Sequence, residues 1–75
     1  MTFDELLTEA CKSAHLPEMA RILLPSAFSE KTKKMVLRLS PEEFGIILST
    51  AIEMINRGSV ESVDTLVKEQ FNKMA

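Results

Sequence analysis

The stretch "RLSPEEFGIILSTAIEMINRG", residues 38–58, contains signals for both the beginning and the end of one helix. Ser40 and Glu43 have the spacing of a capping box, in which each side chain accepts a hydrogen bond from the other residue's backbone amide. Gly58 can adopt the left-handed conformation that commonly ends a helix. The sequence therefore predicts a helix over residues 41–57.

The apolar residues of this helix form a stripe that is wider than one neighbouring helix requires. The stripe covers roughly 160° of the helix surface, and contact with a single neighbour needs about 100°. We therefore expect a central helix packed by at least two others, with Ile52 and Ile55 near the centre of the buried face. Ile46 lies outside the stripe, among polar residues. The stripe consists of Phe44, Ile47, Leu48, Ala51, Ile52, Met54 and Ile55.

Length and composition predict one small folded domain that covers residues 1–75. An apolar content of 45% is typical of a globular protein, and a single cysteine excludes an internal disulfide. The N-terminal segment "MTFDELLTEACK" is acidic where a signal peptide is basic, and no apolar run is long enough to span a membrane. We therefore expect a cytoplasmic protein without a membrane segment. The net charge of −2 gives no overall attraction to nucleic acid or to anionic lipid.

Four further helices are predicted from caps and apolar spacing. Thr2 and Glu5 form a second capping box, and two prolines bound a short helix whose inner face carries Met19, Ile22 and Leu23. The predicted ranges are 3–14, 17–24, 27–39 and 60–73, with Val60, Val63, Leu66, Val67, Phe71 and Met74 as the apolar stripe of the last helix.

The third of these helices has an alternative, because Met35, Leu37 and Leu39 alternate as the residues of a strand do. No other segment is a strand candidate that could pair with it, so the helix is favoured. The predicted fold is all-α, a small compact bundle of about five short helices.

Catalytic and metal-binding chemistry is poorly supported. Cys11 and His15 lie four residues apart and could form a nucleophile or half of a zinc site, but the chain has no other cysteine or histidine. We expect Cys11 to pack in the core. The acidic pairs Asp4-Glu5 and Glu42-Glu43 occupy first helical turns, where capping and the helix dipole explain them. The sequence predicts no enzyme, no metal site and no cofactor.

A basic stripe on the third helix supports nucleic-acid binding as an alternative function. Lys31, Lys34 and Arg38 share one flank of this helix, and Lys33 lies elsewhere on its polar side. Such cations can contact phosphates. The segment lacks Arg, Asn or Gln at the start of a recognition helix, where bases would be read, so a solvated basic face is the favoured interpretation.

Leu37 is a second apolar residue that the predicted core does not explain. It points away from the apolar side of its helix, and it lies near Ile46 on the other side of the link between the third and fourth helices. Either a further neighbour buries both side chains, or they dock a partner. We favour a non-enzymatic interaction module (a small regulator, adaptor or assembly factor) that binds another protein or a second copy of itself. Leu37 and Ile46 would be its apolar anchors, and Lys34 and Arg38 would supply charge at the rim.

Overall fold

The computed structural model describes residues 1–74, which form five α-helices and one 3₁₀ turn and contain no strand. The predicted all-α bundle is confirmed. The elements are α1 (Phe3–Ser13), α2 (Glu18–Leu23), the 3₁₀ turn (Leu24–Ala27), α3 (Glu30–Val36), α4 (Pro41–Asn56) and α5 (Val63–Met74).

Both predicted ends of α4 are present. The Ser40 amide donates to the Glu43 carboxylate at 2.9 Å, and the Glu43 amide donates to the Ser40 hydroxyl oxygen at 3.2 Å. Gly58 has a φ of 101°, and its amide donates to the Ile55 carbonyl at 3.0 Å. The helix therefore begins at the capping box and ends at the left-handed glycine, as the sequence predicted.

The core lies where α4 packs against both α1 and α5, as the width of the apolar stripe predicted. The expectation that Ile52 and Ile55 lie near the centre of the buried face was wrong, since both are only half-buried. Burial depends on the position along the helix as well as on the face: the last fully buried residue of α4 is Ala51, and Met54 and Ile55 beyond it are only partly buried against the core. The buried apolar residues are Leu6, Leu7, Ala10, Cys11, Leu24, Phe28, Val36, Phe44, Ile47, Leu48, Ala51, Leu66 and Val67.

Small residues allow α1 and α4 to approach each other closely. A Cβ atom added to Gly45 would lie 3.0 Å from the Ala10 carbonyl oxygen and 3.5 Å from the Ala14 Cβ atom. The first of these distances is to backbone, which cannot rotate away. A side chain at this position of α4 would therefore require the backbone at Ala10 to shift by a few tenths of an ångström.

α2 differs from its prediction in which side faces the core. The expected inner face of Met19, Ile22 and Leu23 was wrong, because these side chains are 62%, 60% and 60% exposed. Ala20 and Leu24, four residues apart, face the core instead. The helix is also followed directly by the 3₁₀ turn, which continues over the proline that was expected to stop it. α2 rests on α1 with the small Ala20 partly buried against the core, and its larger apolar residues face outward.

α3 is shorter than predicted at both ends, since it stops at Val36 and not at residue 39, and α5 is shorter at its N-terminus. Phe28 is extended, and Ser29 caps α3 by accepting a hydrogen bond from the Thr32 amide at 3.2 Å. Ser62 caps α5 in the same way. Val60 therefore lies outside the helix, and its assignment to the apolar stripe was wrong, since it is fully exposed.

A polar contact joins the beginnings of α3 and α5. The Asp64 carboxylate accepts hydrogen bonds from the Ser29 amide at 2.9 Å and from the Ser29 hydroxyl at 3.3 Å, and it pairs with Lys68 at 3.3 Å. Desolvation raises the pKa of Asp64, but the Ser29 amide, the Thr32 hydroxyl and Lys68 together outweigh it and lower the pKa below its ordinary value of 3.8. The charged form of Asp64 therefore stabilises the fold.

Candidate functional site

Leu37 and Ile46, the two predicted anchors, both lie at the surface. Leu37 is 42% exposed at the C-terminal end of α3, and Ile46 is 66% exposed on α4. No further neighbour covers either of them within residues 1–74. Of the two interpretations that the sequence left open, burial in the core therefore does not apply.

Ile46 lies in a shallow groove of about 220 Å³ between α4 and the C-terminal end of α1. Ser13 lines the α1 side of this groove, and Glu42 and Glu53 line the α4 side. The Glu53 carboxylate pairs with Arg57 at 2.6 Å. Ile46 is therefore an apolar side chain in acidic surroundings.

Leu37 lies in basic surroundings, because Lys34 precedes it by one helical turn and Arg38 follows it directly. Arg38 also lines a second groove, of about 190 Å³, together with Leu39, Glu43, Phe71 and Met74. No residue is common to this groove and to the one that holds Ile46. The structure thus places the two anchors on surfaces of opposite charge.

The four residues of the predicted basic stripe divide into two groups. Lys33 is half-buried, pairs with Glu30 at 3.5 Å and places its ammonium group 5.5 Å from the centre of the Phe3 ring. It therefore helps to pack α3 onto α1. The other three residues are exposed and have no ion pair within the described part of the chain: Lys31, Lys34 and Arg38.

One more exposed cation has no ion pair within residues 1–74. Five of the nine Lys and Arg residues form ion pairs within residues 1–74. The remaining four are the three exposed residues of the stripe and Lys73, which directly precedes Met74 of the second groove. The sequence analysis did not single out Lys73.

The outer face of α2 is an apolar surface that the sequence interpretation missed. Its three large side chains belong to Met19, Ile22 and Leu23, and no residue of α2 itself is fully buried. The charged residues of this helix, Glu18 and Arg21, pair with each other at 3.0 Å. The surface is therefore apolar and electrically balanced, unlike the surroundings of Leu37.

Cys11 and His15 do not share a site. Cys11 is buried, and burial raises the pKa of its thiol more than the nearby Arg21 lowers it. His15 is exposed just after α1, with a φ of 56°, and its amide donates to the Lys12 carbonyl at 3.2 Å. A hollow of about 360 Å³ between α1 and α2 is lined by Cys11 and Arg21 but not by His15. The cysteine belongs to the core, and the histidine ends a helix.

Residues 1–74 contain no group of three or more His, Cys, Asp or Glu side chains placed to hold a metal ion. None of the helices in this range combines the length and the apolar character needed to cross a membrane. Comparison with models of protein families, with curated protein sequences and with solved structures gave no significant match.

Proposed function

We propose that this chain is a non-enzymatic interaction module that binds another protein through exposed apolar side chains. The observation that supports the proposal is that the core is complete without Leu37 and Ile46. In the described residues every buried side-chain nitrogen and oxygen atom has a hydrogen-bond partner, and the buried apolar residues form one continuous cluster. Ile46 is mostly exposed, Leu37 is 42% exposed, and a partner can bury the exposed parts of both side chains.

The proposed mechanism is removal of these apolar surfaces from water, with charge at their edge. Full burial of a Leu or Ile side chain contributes about 1.5–3 kcal/mol of favourable free energy. Because each anchor is partly exposed, a partner that covers it gains part of this free energy on binding. Lys34 and Arg38 beside Leu37 would orient the partner and speed its approach. A partner that contacts both anchors would span the α3–α4 link and meet cations at Leu37 and carboxylates at Ile46.

A second copy of the chain is the alternative protein partner, and the cytoplasm is the proposed compartment. One free, buried cysteine suits a reducing environment. A homodimer would have to cover both anchors with surfaces of the same molecule, and sedimentation of the purified chain would detect it.

Nucleic-acid binding is a second candidate function, supported by the three exposed cations without ion pairs. The net charge of −2 and the absence of Trp and Tyr for base stacking disfavour it. A salt titration against single-stranded and double-stranded oligonucleotides separates the two functions. Phosphate contacts predict a steep loss of affinity with salt, which apolar docking does not.

Replacing each anchor by lysine tests the interaction module. We expect Leu37→Lys and Ile46→Lys to melt like the parent, since exposed substitutions change stability by about 0.5 kcal/mol or less. Both variants should lose the proteins that co-purify with the parent, because a buried anchor contributes about 2 kcal/mol or more to binding. Val60→Lys is the matched control, since Val60 is fully exposed and lies on a different link. Retention of every partner by both folded anchor variants would overturn the proposal.

A further inference from the structure

We infer that α2 mediates self-association of this chain. The exposed side chains of Met19, Ile22 and Leu23, hereafter the α2 ridge, dock in the hollow between α1 and α2 of a second copy, whose own ridge fills the hollow of the first. This contact uses neither Leu37 nor Ile46, and the hollow shares no lining residue with the groove that holds Ile46. The inference therefore goes beyond the proposed function and can be tested separately from it.

The α2 ridge lies beside the hollow, on the same helix. Its three side chains are exposed by 60–62%, and such a cluster of large apolar side chains is typical of an interaction surface. Arg21 of α2 lines the hollow. At about 100° per residue, Met19 and Leu23 lie on the flank of α2 opposite to Arg21. One short helix thus carries the ridge on one flank and borders the hollow with the other.

The hollow has the size and the lining for an apolar side chain. Its lining includes the buried Cys11 and the half-buried Leu16, and its volume is about 360 Å³. An apolar cavity of about 150 Å³ can hold benzene, so one Met, Ile or Leu side chain fits within it.

The charged side chains that line the hollow are already paired within the chain. Lys12 pairs with Glu9 at 3.7 Å, and Arg21 pairs with Glu18 at 3.0 Å. A charged guest would have to compete with these ion pairs. An uncharged apolar guest can enter without breaking them, and the side chains of the α2 ridge are guests of this kind.

A second copy is the occupant that this arrangement favours. In a two-fold dimer each contact is made twice, so a chain with both the ridge and the hollow satisfies both in one dimer. The paired charges at the hollow leave no net charge to repel an identical surface. A surface around the exposed cations Lys31, Lys34 and Arg38 would instead meet like charges in its own copy.

The small size of the contact predicts a weak dimer. A stable protein interface involves about 20–30 residues on each side, and the ridge and the hollow together provide far fewer. We therefore expect a dissociation constant on the order of 0.1–1 mM. At about 10 µM the chain is then monomeric, and the α2 ridge is exposed to solvent.

A dilution series tests the dimer directly. Sedimentation should give a mass that rises from one copy toward two as the concentration increases from about 10 µM to about 1 mM. Over the same range the backbone NMR signals of α2, Cys11 and Leu16 should shift, while those of α5 stay constant. A mass and a spectrum that do not depend on concentration would overturn the inference.

Charged substitutions in the ridge test which surface forms the dimer. Met19→Asp/Leu23→Asp, the ridge variant, should melt like the parent because both positions are exposed. It should remain monomeric at about 1 mM, since each copy would place carboxylates in the apolar hollow of the other. Val60→Asp/Met74→Asp is the matched control, because it adds the same charge at two exposed apolar positions elsewhere. Equal dimerisation of the ridge variant and the parent, or equal loss in the control, would contradict the inference.

Mixing two variants tests whether the ridge of one copy enters the hollow of the other. Thr8 is half-buried and lines the hollow, so Thr8→Phe fills it from within and should also prevent dimerisation. The isotope-labelled ridge variant should show small shifts at Cys11 and Leu16 when unlabelled Thr8→Phe is added, because an intact ridge then meets an intact hollow. Unlabelled ridge variant should cause no shift. Absence of shifts in both mixtures would contradict the ridge-in-hollow contact.

Three further results separate this inference from its alternatives. Concentration-dependent shifts at Leu37 and Ile46 alone would assign self-association to the anchors and overturn the α2 contact. Binding of benzene in the hollow of a chain that stays monomeric at every concentration would assign the hollow to a small apolar ligand. If the ridge variant is monomeric where the parent dimerises, and both anchor variants keep every co-purifying protein, the dimer stands and the proposed anchors fail.

Discussion

α2 and α4 contain similar apolar residues but differ in whether those side chains are buried. α4 buries Phe44, Ile47 and Leu48, whereas α2 turns its Met, Ile and Leu side chains to solvent. α4 has 16 residues and lies between two helices, and α2 has six residues and rests on α1. Apolar spacing therefore defines a face of a helix, while the length of the helix and its neighbours decide whether that face is covered.

The largest expected difference between the two regions is in their response to truncation. Phe44→Ala should lower the free energy of unfolding by about 3–5 kcal/mol, because it removes a fully buried ring and leaves a cavity. Ile22→Ala should change it by about 0.5 kcal/mol or less, since Ile22 is largely exposed. Urea unfolding of both variants measures the difference. Equal losses would show that α2 belongs to the core.

A smaller effect is expected from crowding the contact between α1 and α4. Gly45→Ala should destabilise the fold by about 1–3 kcal/mol, because the new methyl group would lie 3.0 Å from the Ala10 carbonyl oxygen. This loss exceeds the gain of up to about 1 kcal/mol that alanine gives a helix. Ser49→Ala, in the same helix, is the control without this backbone clash. A Gly45→Ala variant that is more stable than the parent would mean that the two helices can separate at little cost.

The polar contact between α3 and α5 should contribute less still. Asp64→Asn should cost about 1–2 kcal/mol at neutral pH, because hydrogen bonds to a charged group are stronger than those to a neutral one. Since folding lowers the pKa of Asp64, its stabilisation is present above about pH 4 and is lost as the pH falls through the folded value. Urea unfolding at pH 7 and pH 3 should show that parent and variant differ less at pH 3. Asp4→Asn is the control, and an unchanged difference would mean that the charge of Asp64 is irrelevant.

Local signals in the sequence were sufficient to predict the boundaries of α4. The capping box at Ser40 and the left-handed glycine at Gly58 involve residues close together in the chain, so their geometry can be deduced from spacing alone. The extended Phe28 that shortens α3 was not deduced, because its ring is fixed by distant residues. Phe28 lies 5.7 Å from the Phe3 ring centre and 6.3 Å from that of Phe44.

The candidate surfaces were predictable to different degrees. Helical spacing was sufficient to predict that Leu37 and Ile46 lie outside the apolar faces of their helices, and both side chains are exposed. Two other features depend on tertiary contacts and have no local signature. These are the outward face of α2 and the absence of an ion pair at Lys73 within residues 1–74.

Native-state hydrogen exchange tests most directly whether α4 forms the cooperative core while α2 lies outside it. Buried, well-packed helices exchange their amides only through global unfolding, and elements with few buried contacts exchange through local opening. We predict that the amides of Leu48 and Ala51 exchange with the free energy of global unfolding measured in urea. The amides of Ile22 and Leu23 should exchange at least about tenfold faster than those of α4, a difference of about 1.4 kcal/mol or more. Equal protection of the two helices would contradict this account, because it would place the apolar face of α2 within the core.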